Sequence, residues 1–309
     1  MISQQQKLAD TGRQFFKVSA VIDWIDVEIR TSRTTQHRYI RAALREITGI
    51  AKWWAGAEDV QQGNNATTYR IRFRDELANS YQQMRDTLAA LARRYPFTAE
   101  PVITGIEISC DWWHKQQSVE AARAMTHLLQ TRLHAAGTQH RQYDPEAGDN
   151  RYLNKLARIN PEQGLRIGNK KDDVSYQVYF KRSDNKQPLP VRQWRARVEV
   201  TLQNDALQQH GFGLLSELPS FNFQKLCTLF RFKMVKPAGT LAGANLLRLT
   251  VINAARKEAD ATAERGTHSF SNSGRRDKRG RLRANSKHLK ADTELYSRMK
   301  DALKRLNVR

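Results

Sequence analysis

Two β-forming stretches constrain this chain more than any other feature: Val174–Arg182 (VSYQVYFKR) and Trp194–Leu202 (WRARVEVTL), separated by the proline-bearing loop from Ser183 to Arg192. Both are dense in β-branched and aromatic residues, which predicts paired strands joined by a long hairpin connection. Side chains alternate along a strand, so Gln177, Tyr179 and Lys181 share one face while Tyr176, Val178 and Phe180 share the other. On the second stretch Arg197, Glu199 and Thr201 form a similar polar row. Such a row is costly to bury inside a sheet unless its members are paired or hold a ligand, which makes it the candidate active site.

Charge narrows the class of partner. The 309 residues carry 52 Lys and Arg against 31 Asp and Glu, a formal charge of +21, and that excess predicts a polyanionic partner, nucleic acid first. Fourteen Lys and Arg against four acids fall between Arg265 and Arg309, so this stretch alone contributes +10. Two cysteines, Cys110 and Cys227, are too few for a disulfide framework, which points to a reducing cytoplasm. The first ten residues lack the apolar core of a signal peptide, and no run matches a membrane span.

The remaining elements follow from periodicity. Phe15 to Ile29 reads as a first strand, and Tyr39, Ile40, Ala43, Leu44 and Ile47 then keep helical spacing up to Gly49. Thr67 to Phe73 alternates strictly, with Tyr69, Ile71 and Phe73 facing inward, and Leu77 to Leu91 is helical until Tyr95-Pro96. Val102 to Trp113 is a third strand, with Glu107, Ser109 and Asp111 on one face. Ser118 to Ala136 is a helix, and Thr138 to Gly164 is a polar loop flanking the site. Two short helices are expected around Leu214 and from Phe221 to Phe232, a further helix over Leu246 to Glu264, and a basic helix over Thr293 to Leu306. The order predicts an α+β fold, a central, mostly antiparallel sheet with packed helices and a basic helical C-terminal region.

The residues of these strands resemble the trans-acting rolling-circle replication initiator family of small plasmids and filamentous phages. That family has a strand ending Tyr-Asp/Asn-Lys, then a Trp-x-Arg-x-Glu strand, and here Tyr179-Phe180-Lys181 precedes Trp194 and Arg197-Val198-Glu199. Leu165-Arg-Ile-Gly-Asn169 is similar to its aliphatic-Gly opening, and Ile22-Asp-Trp-Ile25 to its first strand. Val102 to Trp113 is similar to its Arg-x-Asp-x-x-x-Asp strand, with Gly105 and Glu107 in the places of the Arg and the first acid. Phe180 stands where the family has Asp or Asn, and Gln177 where it often has Arg. The resemblance implies a fold related to the rolling-circle initiator nucleases. The resemblance spans roughly Val18 to Leu202, and with the charge of the C-terminal stretch the chain reads as an N-terminal extension (1–14), a catalytic nicking-joining domain (15–236) and a basic helical DNA-binding tail (237–309).

It also implies the chemistry: metal-assisted nicking of one DNA strand at an origin, with a 5′-phosphotyrosine link and a 3′-OH primer, then rejoining. A phenol must attack phosphorus, a hard cation must polarise the phosphate, and a basic group must offset the developing charge. Tyr179 is the expected nucleophile and Lys181 its cationic neighbour. Glu107, Asp111 and Glu199 are expected to hold one ion, and oxygen-only ligation favours Mg²⁺ or Mn²⁺ over Zn²⁺. No His-hydrophobic-His pair occurs among the 8 histidines, and His114 is a further candidate ligand. Arg197, with Arg275, Arg276, Lys278, Arg279, Arg281 and Arg283 of the tail, is expected to meet DNA. Origin DNA, a host helicase and polymerase, and a second copy of the chain are the implied partners. The rival class is a non-catalytic double-stranded DNA-binding regulator or packaging protein with the same fold and basic tail.

Overall fold

A computed structural model describes residues 13–135, 140–143, 150–152, 162–184, 187–235 and 289–308. The main elements are β1 (Phe16–Thr35), α1 (His37–Thr48), β2 (Trp54–Ala57), β3 (Ala66–Arg74), α2 (Tyr81–Arg94), β4 (Val102–His114) and α3 (Val119–Arg132). There follow β5 (His140–Tyr143), β6 (Asn150–Tyr152), β7 (Gly164–Ile167), β8 (Val174–Lys181), β9 (Ser183–Asp184), β10 (Gln187–Pro188) and β11 (Arg195–Gln203). The last described elements are β12 (Lys233–Val235), β13 (Leu289–Ala291) and α4 (Thr293–Arg305). The fold is α+β, built on a large, mostly antiparallel sheet with helices packed on it. Nine of the described strands form that sheet in the order β2-β3-β1-β4-β11-β8-β7-β5-β6. The expected hairpin is present, with β8 beside β11 and β9 pairing antiparallel with β10 between them.

The chain divides into two compact units, and β1, β4 and β11 each contribute to both. Unit 2 comprises Val21–Ser109, Thr201–Lys225 and Leu306–Arg309. There the alternation of β3 buries Tyr69, Ile71 and Phe73 completely, while Ile40, Ala43 and Leu44 of α1 and Met84 and Leu91 of α2 supply the helical side of the core. Gly49 ends α1 at φ 71°, a conformation that disfavours side chains with a Cβ, and its N–H bonds the Arg45 carbonyl. Ser80 caps α2 by accepting from the Gln83 N–H at 3.3 Å.

Unit 1 comprises Met1–Ala20, Cys110–Val200 and Leu226–Arg305. Its α3 is capped by Ser118, which accepts from the Ala121 N–H at 3.1 Å, and is buried over most of its length. The segment expected to be a polar loop contributes β5 and β6, which pair antiparallel with each other, and β5 also pairs with β7. These strands are three and four residues long, too short for alternation to register in the sequence. The final basic helix forms as expected, but it is packed within unit 1. Leu295, Met299 and Leu303 are fully buried, and the guanidiniums of Arg298 and Arg305 each bond a β1 carbonyl, Phe16 and Val18, at 3.0 Å. The expected helix over Leu246 to Glu264 and the arginine-rich stretch from Arg275 to Arg283 lie outside the described residues. Among the described residues no helix is long and apolar enough to cross a membrane.

Candidate metal and tyrosine site

The site begins with an irregularity in β1. Ile22 and Ile25 are both fully buried, a spacing of three that breaks the two-residue alternation. At Ile22 the backbone bonds the Asn79 side chain on both its N–H and its carbonyl, and pairing with β3 begins only at Trp24. Asp23 and Trp24 consequently both reach the polar face of β4. The Ser109 hydroxyl donates a short hydrogen bond to the Asp23 carboxylate. The Trp24 indole N–H donates to Glu107 Oε1 at 2.8 Å, and the Thr201 hydroxyl donates to Glu107 Oε2 at 2.7 Å. Both oxygens of Glu107 are thereby oriented.

β4 and β11 meet along this row. Glu107 of β4 meets Thr201 of β11, and Asp111 of β4 meets Arg197 of β11, the order that antiparallel neighbours give. Asp23, Glu107 and Glu199 each offer a carboxylate oxygen, all within 4.8 Å of one another. The three acids could hold a metal ion. Burial pushes the Glu107 carboxyl above its ordinary range, and the Asp23 charge adds to that shift, so the cluster is one that a bound cation would relieve. A wholly oxygen donor set suits a hard divalent cation.

Of the three acids read from sequence, Glu107 and Glu199 fall in this cluster and Asp111 does not. Asp111 sits four residues further along β4, where it receives Arg197 through Nε at 2.6 Å and Nη2 at 2.7 Å and pairs with Arg195 at 2.9 Å. Asp23 occupies the third place. Strict alternation assigns Asp23 to the apolar side with Ile25, and only the break in β1 turns it outward. Nothing in the sequence marks that break.

Tyr179 lies on the face expected for it. Its hydroxyl donates to Glu199 Oε1 at 2.5 Å, and Arg197 Nη1 stands 3.6 Å from the same oxygen. Burial raises the phenol well above its ordinary range, and the Glu199 charge raises it further, while Arg197 opposes the shift. Lys181 is buried and paired with Asp184 at 2.9 Å. Arg197, expected at the DNA, is 3% exposed and committed to Asp111, so it belongs to the interior of the site. Gln177 accepts from Tyr143 at 2.9 Å and from Arg166 at 2.8 Å. Gly164 makes room for that tyrosine, since a Cβ there would stand 2.5 Å from its ring. His114 is occupied elsewhere, its Nδ1 accepting the Ser118 N–H at 3.2 Å. Arg275, Arg276, Lys278, Arg279, Arg281 and Arg283 lie outside the described residues.

The chain matches no family model and no curated protein. Among solved structures it is similar to a rolling circle replication initiator protein from Geobacillus stearothermophilus, at 13% identity and a TM-score of 0.36, over 77% of this chain and 97% of that one. At that identity and score the functional reading rests on the chemistry of the site.

Proposed function

We propose that this protein cuts and rejoins one strand of DNA through Tyr179, in the manner of a rolling-circle replication initiator. The observation that carries the reading is the position of Glu199, which accepts the Tyr179 hydroxyl at 2.5 Å and is also one of the three converging carboxylates. A general base within hydrogen-bond reach of a nucleophile is the arrangement that activates a phenol whose own pKa is too high for attack. Mg²⁺ or Mn²⁺ held by Asp23, Glu107 and Glu199 would supply Lewis-acid polarisation of the scissile phosphate.

In the proposed step the phenol proton passes to the Glu199 carboxylate as the phenolic oxygen bonds to phosphorus. The bond from phosphorus to the 3′ oxygen breaks, and that oxygen takes up a proton from water to leave a 3′-OH. The product is a 5′-phosphotyrosine, and reversal by an incoming 3′-OH rejoins the strand without a nucleotide cofactor. Arg197 favours the negative charge that Glu199 carries before the transfer. Trp24 and Thr201 fix the Glu107 carboxylate, while Lys181, two residues on from Tyr179, is taken up by Asp184. DNA is the proposed partner, with Arg275, Arg276, Lys278, Arg279, Arg281 and Arg283 on duplex phosphates. Neutralising those six residues together should flatten the dependence of duplex affinity on salt by about 0.9 in log–log slope for each phosphate no longer bound.

The decisive experiment is nicking of supercoiled DNA carrying the cognate origin, followed by denaturing gel analysis for protein joined to the 5′ end. Wild type forms the adduct with Mg²⁺ or Mn²⁺, and Tyr179→Phe forms none while retaining origin binding. An adduct persisting in Tyr179→Phe would move the nucleophile elsewhere. Retarded but uncut DNA with wild-type protein under both metals would leave a non-catalytic DNA-binding protein.

A further inference from the structure

The open face of unit 2 carries an organised group that the chemistry above does not use. Trp54 of β2, Arg72 of β3 and Asp26 of β1 stand in one register row, so their side chains share a face. Arg72 Nε and Nη2 each donate to one oxygen of Asp26 at 2.6 Å, a two-point bond that fixes the plane of the guanidinium. Its central carbon lies 3.7 Å from the ring centroid of Trp24 and 5.2 Å from that of Trp54. Trp24, Arg72 and Trp54 thus form one continuous run of planar groups along the sheet.

This run is open to solvent at its outer end. Trp54 is 39% exposed and lies on β2, the edge strand. Its ring leans over Gly56, where a Cβ would be 3.6 Å from two ring atoms. Trp24 leans in the same way over Gly105, where a Cβ would stand 3.0 Å from its ring. Glycine at both places lets each indole lie close against the sheet. At its inner end the run reaches the acid cluster, because Trp24 donates to Glu107.

Charge on this face is selective. Arg72 is neutralised by Asp26, and Arg70 pairs with Glu58 at 3.2 Å. Arg74, opposite Trp24 in the register and exposed, has no acid partner among the described residues. A flat, nearly neutral aromatic surface with one unmatched cation beside it complements a nucleobase attached to a phosphate. It suits unpaired bases, since a base stacked in a duplex does not offer its flat face.

We infer that Trp54, Arg72 and Trp24 form a stacking seat for an unpaired base of single-stranded DNA next to the candidate metal site, with Arg74 on a flanking phosphate. The choice of DNA rests on the proposed function, whereas the seat itself rests on the geometry of unit 2. Trp54, exposed and backed by the half-buried Arg72, contributes to binding by area and π contact, and Arg74 by charge, so the two parts respond differently to salt.

The test measures anisotropy of a short labelled single-stranded oligonucleotide, and of its duplex, with wild type, Trp54→Ala, Trp54→Phe and Arg74→Gln. Trp54→Ala should weaken single-strand binding about tenfold, the effect of losing one stacked base, with the salt slope unchanged. Trp54→Phe should keep most of the affinity. Arg74→Gln should lower the salt slope by about 0.7. Duplex affinity should be unaffected by Trp54→Ala. Single-strand affinity for Trp54→Ala within about twofold of wild type, or an equal loss on the duplex, would overturn the seat. If Trp54→Ala lowers the thermal midpoint, Trp54→Phe and Arg74→Gln decide: a wild-type salt slope in Arg74→Gln overturns it. Nicking by wild type with an unchanged Trp54→Ala affinity removes the seat and leaves the nuclease. A Trp54-dependent affinity without nicking or adduct removes the nuclease and leaves the seat.

Discussion

Two kinds of carboxylate occupy the interior of this protein, and they differ in what they face. Asp292 receives Arg13 at 2.9 Å and a short bond from Arg132, and Asp111 receives Arg195 and Arg197. Each of these acids is matched by two guanidiniums, which is how a folded protein accommodates buried charge. Asp23, Glu107 and Glu199 instead face one another within 4.8 Å. Acids that gather against one another raise their own cost, and a ligand or a proton relieves it. The first kind holds the fold together, and the second is a set of acids that could hold a metal ion.

The largest expected effect comes from breaking the first kind. Asp292→Ala leaves Arg13 and Arg132 buried without their shared acid and should cost about 3–5 kcal/mol, read as a lower urea midpoint with an unchanged slope. A loss no greater than that of a surface substitution would mean that water replaces the carboxylate and that the pairing contributes little. Glu107→Gln should do the reverse. Removing one of three crowded charges leaves stability in metal-free buffer equal or higher, while the protection given by Mn²⁺ disappears. That protection should reach about 2.7 kcal/mol in wild type when the ion is at a hundred times its Kd. Equal Mn²⁺ protection of Glu107→Gln and wild type would place the ion elsewhere.

The smallest effect is the pH dependence, and here the two kinds have opposite signs. Burial alone would raise the Asp292 carboxyl, but Arg13 and Arg132 outweigh it and hold it below the ordinary range. A lowered folded value gives stability that is complete above the unfolded value of about 3.9 and is lost as pH falls through the folded one. Glu107 is raised by burial and by Asp23. Above the unfolded value of about 4.3, folded Glu107 retains a proton that the unfolded chain has released, so stability falls as pH rises through that window. Unfolding midpoints followed from acid to neutral pH should lose the acid-side slope in Asp292→Asn and the opposing slope in Glu107→Gln. Parallel curves for the two variants would erase the distinction between the kinds.

Much of the sheet was legible because its long strands alternate and its helices carry periodic apolar residues. β3 shows its inward Tyr69, Ile71 and Phe73 directly, and the polar rows of β8 and β11 stand out because charged residues interrupt apolar strands. Local pattern does not carry register. Glu107 and Asp111 look equivalent along β4, yet one meets Thr201 and the other Arg197, and only the pairing of strands tells them apart. Asp23 was hidden for a related reason, since a break in β1 reverses the face that alternation assigns to it. β5 and β6 were hidden by their length.

The bond between Arg13 and Asp292 joins residues 279 positions apart, and it bears on how the chain is made. During synthesis the Arg13–Ala20 stretch emerges long before the helix whose Arg298 and Arg305 bond its carbonyls at Phe16 and Val18. At ribosomal rates of about 5–20 residues per second that delay is on the order of tens of seconds. Over that interval the start of β1 can meet the end of β4, through Lys115 and Trp113, but its Phe16 and Val18 carbonyls lack the α4 guanidiniums, and Arg13 and Arg132 lack their shared acid until Asp292 has been made. Unit 2 draws most of its residues from Val21–Ser109 and meets its own partners early. A nascent chain of this protein therefore passes through a stage in which two buried arginines wait for their carboxylate, the stage at which chaperones and proteases have the readiest access to it.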